Sequence, residues 1–234
     1  MSQLASRVSK KIMTEKTSDI VLIDKPKGIT SFDVIRQLRK KLGIRKMGHA
    51  GTLDPLATGL LLIGVGAGTK KLAKLVGLSK VYETEIILGL QTTTGDMEGQ
   101  ILAEANVLGV DREKVEEVLS GLAGVLQIAV PLFSAVKIDG KPLYAYAREG
   151  KKVEAPVKDM KIFSMELTGM REEKGRTVLS VRMHVGSGAY VRSIAEEVGR
   201  RLGVPASVQE LRRTRIGDKI LDGVQFDIAD ADAL

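Results

Sequence analysis

Asp54 is the only acidic residue between Val34 and Tyr82, a stretch that also carries ten basic residues, among them Arg36, Arg39, Lys40, Arg45, Lys46, Lys70 and Lys80. Cations favour the ionised form of a nearby carboxyl group, and they draw polyanions. Around Asp54 runs Gly48-His49-Ala50-Gly51-Thr52-Leu53-Asp54-Pro55. Glycine and proline at this density predict a loop, where catalytic groups are commonly presented. An ionised carboxylate there can serve as nucleophile or general base. An Asp-Pro step also starts ordinary turns, so spacing alone leaves a conformational reading open. His49 offers an acid, a base or a stacking ring, or simply a loop histidine bonded to backbone. Tyr82 fits the rim of a core. Arg192, four residues before Glu196, fits an i,i+4 ion pair.

The elements that must position these residues follow from periodicity. Ile20 to Asp24 predicts a strand, turned by Lys25-Pro26-Lys27-Gly28. Thr30 or Ser31 can cap a helix whose apolar face is Val34, Ile35, Leu38 and Leu42, and Gly43 ends it. A loop covers Arg45 to Thr58, then an apolar run over Gly59 to Val65 predicts a buried strand. Gly64 to Lys70 is glycine-rich but lacks the Gly-Lys-Ser/Thr order of a phosphate loop. It predicts a strand-to-helix turn, with Thr69 as cap and Leu72, Leu75 and Val76 inward. Tyr82, Thr84, Ile86, Leu88 and Leu90 share a strand face, and Thr92 to Gly99 is a polar turn. Further on come a helix near Asp111 to Leu122, a hairpin turn at Asp139-Gly140, and a short helix from Pro142 to Glu149. Strands are expected near Lys161 to Leu167 and Thr177 to Val185. A helix after Gly186-Ser187-Gly188 faces inward through Val191, Ile194, Ala195, Val198 and Leu202, and a last strand spans Val208 to Ile216. Interleaved elements with frequent hairpin signals predict an α/β chain of the α+β type: a mixed, largely antiparallel sheet with packed helices.

Composition narrows the chemistry. The chain has 234 residues, a formal net charge of +7 and 44% hydrophobic content, which together predict a globular protein suited to an anionic partner. It has no cysteine, which excludes disulfides and thiol catalysis and fits a reducing, cytoplasmic compartment. Two histidines, His49 and His184, far apart in sequence, argue against a histidine-built metal site. No apolar run is long enough to cross a bilayer, so no membrane role is expected. With only four Tyr, four Phe and no Trp, an RNA-binding role would rest on shape and phosphate contacts more than on base stacking.

Several segments, taken in order, resemble one family. They are Asp24-Lys25-Pro26-Lys27-Gly28-Ile29-Thr30-Ser31, Gly48 through Gly59, Lys80-Val81-Tyr82, Ser134-Ala135-Val136-Lys137, Leu143 through Arg148, Tyr190-Val191-Arg192 and Leu211-Arg212-Arg213. The pattern is similar to that of the TruB family of tRNA pseudouridine synthases over about Ile20 to Gly217. The resemblance implies a cofactor-free, metal-free isomerase that makes pseudouridine at position 55 in the tRNA T loop, with no protein partner required, and a monomer is the default expectation. It places the family's catalytic aspartate at Asp54, its active-site tyrosine at Tyr82 and the basic partner of the aspartate at Arg192. It also assigns RNA or substrate contacts to His49, Lys25, Tyr190, Leu211, Arg212 and Arg213, with Arg200, Arg201 and Arg215 as further phosphate ligands. One catalytic domain is expected over 19–234 behind a loosely ordered basic tail at 1–18. Only 17 residues follow Gly217, so the C-terminal PUA-type domain of many relatives is not expected. Two other readings share these motifs: a non-catalytic tRNA-binding or folding protein, and the catalytic subunit of a guide-RNA pseudouridylation complex.

Overall fold

The computed structural model describes residues 19–223 and 226–227. The expected basic tail at 1–18, and nearly all of the acidic last stretch, lie outside the described residues. In chain order the elements are β1 (Ile20–Lys25), α1 (Ser31–Leu42), β2 (Met47–His49), β3 (Thr58–Val65), a 3-10 turn (Gly66–Lys71), α2 (Leu72–Val76), β4 (Lys80–Leu88), β5 (Leu90–Thr92) and β6 (Ile101–Glu104). Then come α3 (Arg112–Ser120), β7 (Gly124–Ala129), β8 (Lys137–Ile138), β9 (Lys141–Pro142), α4 (Leu143–Arg148), β10 (Val157–Glu173), β11 (Arg176–Val185) and α5 (Val191–Leu202). The chain ends on β12 (Ala206–Ile216), β13 (Lys219–Ile220), a 3-10 turn and β14 (Phe226–Asp227). The fold is mixed α/β with a largely antiparallel sheet, as the sequence predicts. The chain clusters into two compact units. One is made of the described residues up to Tyr82 and those from Leu211 onward; the other is Glu83–Glu210. The boundary falls inside two strands, β4 and β12.

In the first unit the strand order is β14–β1–β3–β12, with β2 also on β3 and β13 on β12. β1 runs antiparallel to β3, and β12 runs parallel to it. Every residue of β3 after Thr58 is buried, which is why its sequence is a continuous apolar run instead of an alternating one. α1 starts on a capping box in which Thr30 and Asp33 exchange side-chain and backbone bonds, and it stops at Gly43, whose φ of 67° suits glycine. Leu60, Leu62, Ala50 and Ile216 form a core cluster against which Leu72, Leu75 and Leu78 pack. Two details differ from expectation. Thr69 does not cap α2: its hydroxyl donates back to Gly66 O at 2.8 Å, inside a 3-10 turn. Val76, the last residue of α2, is exposed. The strand β2 falls in the segment read as loop, since Met-Gly-His carries no alternation to reveal it.

In the second unit the order is β12–β4–β11–β10–β7, and β10 is antiparallel to both β11 and β7. β10 has 17 residues, well beyond the apolar stretch that marks it in sequence. Its register shifts near Ile162–Ser164 and Leu167–Gly169 break the period-two pattern, and its far end is charged. Asp139 and Gly140 have φ of 50° and 79° in the two-residue turn joining β8 to β9, as the hairpin signal predicts. α5 buries Val191, Ile194, Ala195 and Val198, and also Arg192 and Ser193. Among the described residues no helix is long and apolar enough to cross a membrane.

Candidate active site

Asp54 lies in the loop between β2 and β3 and is half-buried. Ala57 N donates to Asp54 O at 3.1 Å, closing a turn with Asp54 first and Pro55 second. That is the position where an aspartate and a proline each favour the bend. Leu53, Leu56 and Ala57 are buried around it, so apolar packing anchors the turn while the carboxylate stays at the edge. The turn is held on both flanks. On one side the Ser31 hydroxyl donates to Leu53 O at 3.0 Å and accepts from Leu53 N at 2.8 Å. On the other, Pro55 O accepts from Gly28 N at 2.8 Å and from Lys25 Nζ at 3.3 Å.

Lys25 was expected to meet RNA. Its side chain lies inside the first unit at 0% exposure, and its ammonium also donates to Pro26 O at 2.9 Å and Ile29 O at 2.7 Å. Arg213, expected to hold a phosphate, is 1% exposed. Its Nε donates to Leu60 O at 2.8 Å and its Nη2 to Gly51 O at 3.1 Å. Arg212, on the opposite face of β12, is partly exposed and forms a two-pronged pair with Asp24 at 3.1 and 2.5 Å. Its Nη1 also reaches the Thr58 hydroxyl, which in turn lies 3.4 Å from Leu211 O.

His49 ends β2 opposite Ile63 and is half-buried. Desolvation, with a smaller push from the Arg213 guanidinium, lowers its pKa below the ordinary histidine value. The imidazole is therefore neutral near pH 7. Its Nδ1 is buried and has no hydrogen-bond partner within the protein. Tyr82, on β4, is 8% exposed, and Leu211, where β12 enters the first unit, is buried.

Arg192 and Tyr190 belong to the second unit. Tyr190 is the N-cap of α5 and its backbone N lies 3.4 Å from Met160 Sδ. Arg192 is 5% exposed. Its Nη1 donates to Thr94 O at 2.6 Å, its Nη2 to Phe133 O at 3.1 Å, and its Nε lies 3.7 Å from Asp96 Oδ2. Asp96 is itself buried and accepts from the Thr94 hydroxyl at 2.5 Å and Glu98 N at 3.1 Å. The sequence reading missed Asp96, because it sits in a turn where aspartate is ordinary. The signal available was an aspartate two residues from a glutamate in a Thr- and Gly-rich stretch. Glu196, one turn along α5, has its pKa raised by burial, with Arg192 pulling the other way. Among the described residues no group of three or more His, Asp or Glu side chains could hold a metal ion.

A turn-borne carboxylate with its flanks fixed, a neutral histidine and a buried tyrosine stand in the first unit, and a buried arginine opens a helix in the second. The sequence model for the TruB family pseudouridylate synthase (N terminal domain) matches residues 39–191. Among curated proteins, the tRNA pseudouridine synthase B of Bacillus cereus is 44% identical over 206 residues, 87% of this chain and 67% of that protein. The enzyme of the same name from Corynebacterium efficiens is 40% identical over 207 residues, 88% of this chain and 70% of that one. Among solved structures, a Cbf5–Nop10–Gar1 complex matches with a TM-score of 0.67 and 26% identity, covering 98% of this chain and 56% of that one. An H/ACA ribonucleoprotein bound to a substrate RNA containing 2'-deoxyuridine matches with a TM-score of 0.66 and 26% identity, over 92% of this chain and 53% of that one. The chain belongs to the TruB family of pseudouridylate synthases.

Proposed function

We propose that this protein isomerises uridine to pseudouridine in tRNA, at T-loop position 55, with Asp54 as the catalytic carboxylate. The reaction breaks the N1–C1′ bond, turns the uracil and joins C5 to C1′; the C5 proton leaves and N1 takes one up, so the product is an isomer of uridine. No external oxidant or reductant enters this balance. The base must first leave its stack, which costs less in a loop than in a duplex. Asp54 then attacks the sugar or base as a nucleophile, or removes a ribose proton as a base. Tyr82 stacks on the uracil, and Arg192 is the cation that the family pattern pairs with the carboxylate. Leu211 lines the apolar wall. The neutral His49 contributes a ring and a hydrogen-bonding nitrogen to the T loop, and its low pKa removes it as a source of positive charge near pH 7. The exposed cations Arg45, Lys46, Lys70, Lys71 and Lys74 hold phosphates.

One observation carries this reading. The only acid of the basic stretch opens a turn fixed by Ser31 on one flank and by Lys25 and Gly28 on the other. Binding alone would not require that fixation. A second reading, the guide-RNA-dependent subunit, has its own support: the structural neighbours include an H/ACA ribonucleoprotein and a Cbf5 complex. Identities of 38–44% to proteins named tRNA pseudouridine synthase B favour the stand-alone enzyme over it. On the stand-alone reading the protein is cytoplasmic, and a monomer suffices.

The deciding assay follows tritium release from unmodified tRNA labelled at uracil C5. Release by the wild type, and none by Asp54→Asn, is expected. Release only after a guide RNA is added would establish the second reading. Tight tRNA binding with no release under either condition would leave a non-catalytic RNA-folding protein.

A further inference from the structure

The Asp54 loop leaves β2 through Ala50 and Gly51 and enters β3 through Thr58, Gly59 and Leu60. One side chain touches both ends. The Arg213 guanidinium donates Nη2–H to Gly51 O at 3.1 Å and Nε–H to Leu60 O at 2.8 Å. From this geometry we infer that Arg213 is a positioning residue, a buried fork that ties the two ends of the Asp54 loop together and so fixes where the carboxylate stands. The inference rests on the reading of Asp54 as the catalytic carboxylate.

Three features of the site fit a clamp and do not fit an RNA contact. The guanidinium is sequestered, at 1% exposure, so a phosphate has no access to it. The loop's exit is shaped around the same residue. Gly59 pairs with Arg213 in the parallel β3/β12 register, its φ is +98°, and a Cβ there would lie 2.3 Å from Arg213 O. The entry is shaped likewise. Gly51 has φ +86°, and a Cβ there would meet Arg213 Nη1 at 3.5 Å. Two glycines with positive φ thus lie against one arginine, Gly51 beside its guanidinium and Gly59 against its backbone. Lysine would replace it only in part, because a single ammonium on a flexible stem lacks the planar fork that sets the directions of both bonds. The neighbouring Arg212 carries the opposite features, since it is partly exposed and paired with Asp24. Of the two adjacent arginines, the first faces outward and the second holds the loop.

The consequence is a separation of rate from affinity. Displacing a catalytic group by about 1 Å can cost about 10²-fold in rate. A residue that makes no phosphate contact contributes nothing to counterion release.

Arg213→Gln and Arg213→Lys, in the full chain, test the inference by three readouts. These are amide hydrogen exchange over residues 50–60, tRNA affinity as a function of salt, and single-turnover tritium release. For Arg213→Gln, exchange at Ala57 should rise roughly tenfold, the effect of losing one to two supporting hydrogen bonds. Release should slow by about 10²-fold, while affinity and salt slope stay at wild-type values. Arg213→Lys should recover part of both losses. Gly59→Ala, which pushes on the clamp from the loop side, should reproduce the rate loss. A shallower salt slope, by about one unit, with an unchanged rate would make Arg213 a phosphate ligand and overturn the inference. Unchanged exchange in a folded Arg213→Gln protein would overturn it as well. Should Arg213→Gln fail to fold, Arg213→Lys decides by the same readouts. If the wild type releases no label, the enzymatic reading fails, and the exchange data still decide whether the clamp exists.

Discussion

Replacing Ser31 with alanine removes one oxygen and should weaken both the fold and the chemistry. The Ser31 hydroxyl donates to Leu53 O at 3.0 Å and accepts from Leu53 N at 2.8 Å, and both residues are buried. Ser31→Ala therefore leaves an N–H and a carbonyl without partners, in the residue just before Asp54. An unpaired buried polar group costs about 1–3 kcal/mol, so the pair amounts to about 2–6 kcal/mol. A water entering the vacated space would bring the loss toward the lower figure. Helix propensity does not offset it, because Ser31 is the first residue of α1 and Thr30 supplies the cap. Urea unfolding should show a lower midpoint with unchanged slope, and single-turnover tritium release should fall by about tenfold or more as the loop loosens. Ser31→Thr keeps the hydroxyl and should restore most of both. A loss below about 0.5 kcal/mol together with a wild-type rate would refute the argument that these two bonds hold the turn.

Three further outcomes follow from the geometry. Lys80 is buried, and desolvation, with a smaller contribution from Arg213, lowers its pKa to about 8 from 10.5. Between those values the unfolded chain holds a proton that the folded one has shed, so wild-type stability should rise with pH across about 8 to 10.5 and stay flat below 8 on this account. A drop of that size corresponds to about 3 kcal/mol, and the rise should be absent in Lys80→Met when both proteins are unfolded at a series of pH values. Arg171 pairs with Glu85 and Glu173 at the surface, where such pairs contribute about 0–1 kcal/mol; Arg171→Ala should therefore shift the urea midpoint little, and a loss above about 2 kcal/mol would show that this network is worth more than exposed pairs usually are. Arg45→Gln with Lys46→Gln removes two exposed cations beside β2 and should weaken tRNA binding and reduce the salt slope by about one unit for each phosphate they hold, with the single-turnover rate at saturating protein unchanged.

The parts of this structure legible in the sequence are those where one local rule acts alone. α1 is one: Thr30, the apolar spacing and Gly43 all agree, and the helix forms between them. β3 is another, since burial on both faces leaves an unbroken apolar run. The Asp139-Gly140 hairpin is a third. β2 and the far half of β10 were not legible, because neither carries a regular alternation of its own, although each pairs with the next strand in the chain. The site divides along the same line. Asp54 stood out by the charge of its neighbours, which is local. Asp96 did not, because what distinguishes it is its burial beside Arg192, across a large sequence separation.

The cations illustrate the division most sharply. In sequence, Lys25, Lys80, Arg192 and Arg213 count toward the same positive field as Arg45 and Lys46. In the fold all four are buried, and each donates to at least two backbone carbonyls. A buried charge is costly unless it is well paired, and these four are spent on loops and strand ends that glycine and proline leave poor in backbone partners. Lys25 and Arg213 brace the Asp54 loop, Lys80 closes the end of α2 through Val76 O and Leu78 O, and Arg192 gathers the turn at Thr94 and the chain at Phe133. The charge that draws RNA is thus smaller than the count suggests. The remainder fixes, within each unit, the backbone from which the reacting groups are presented.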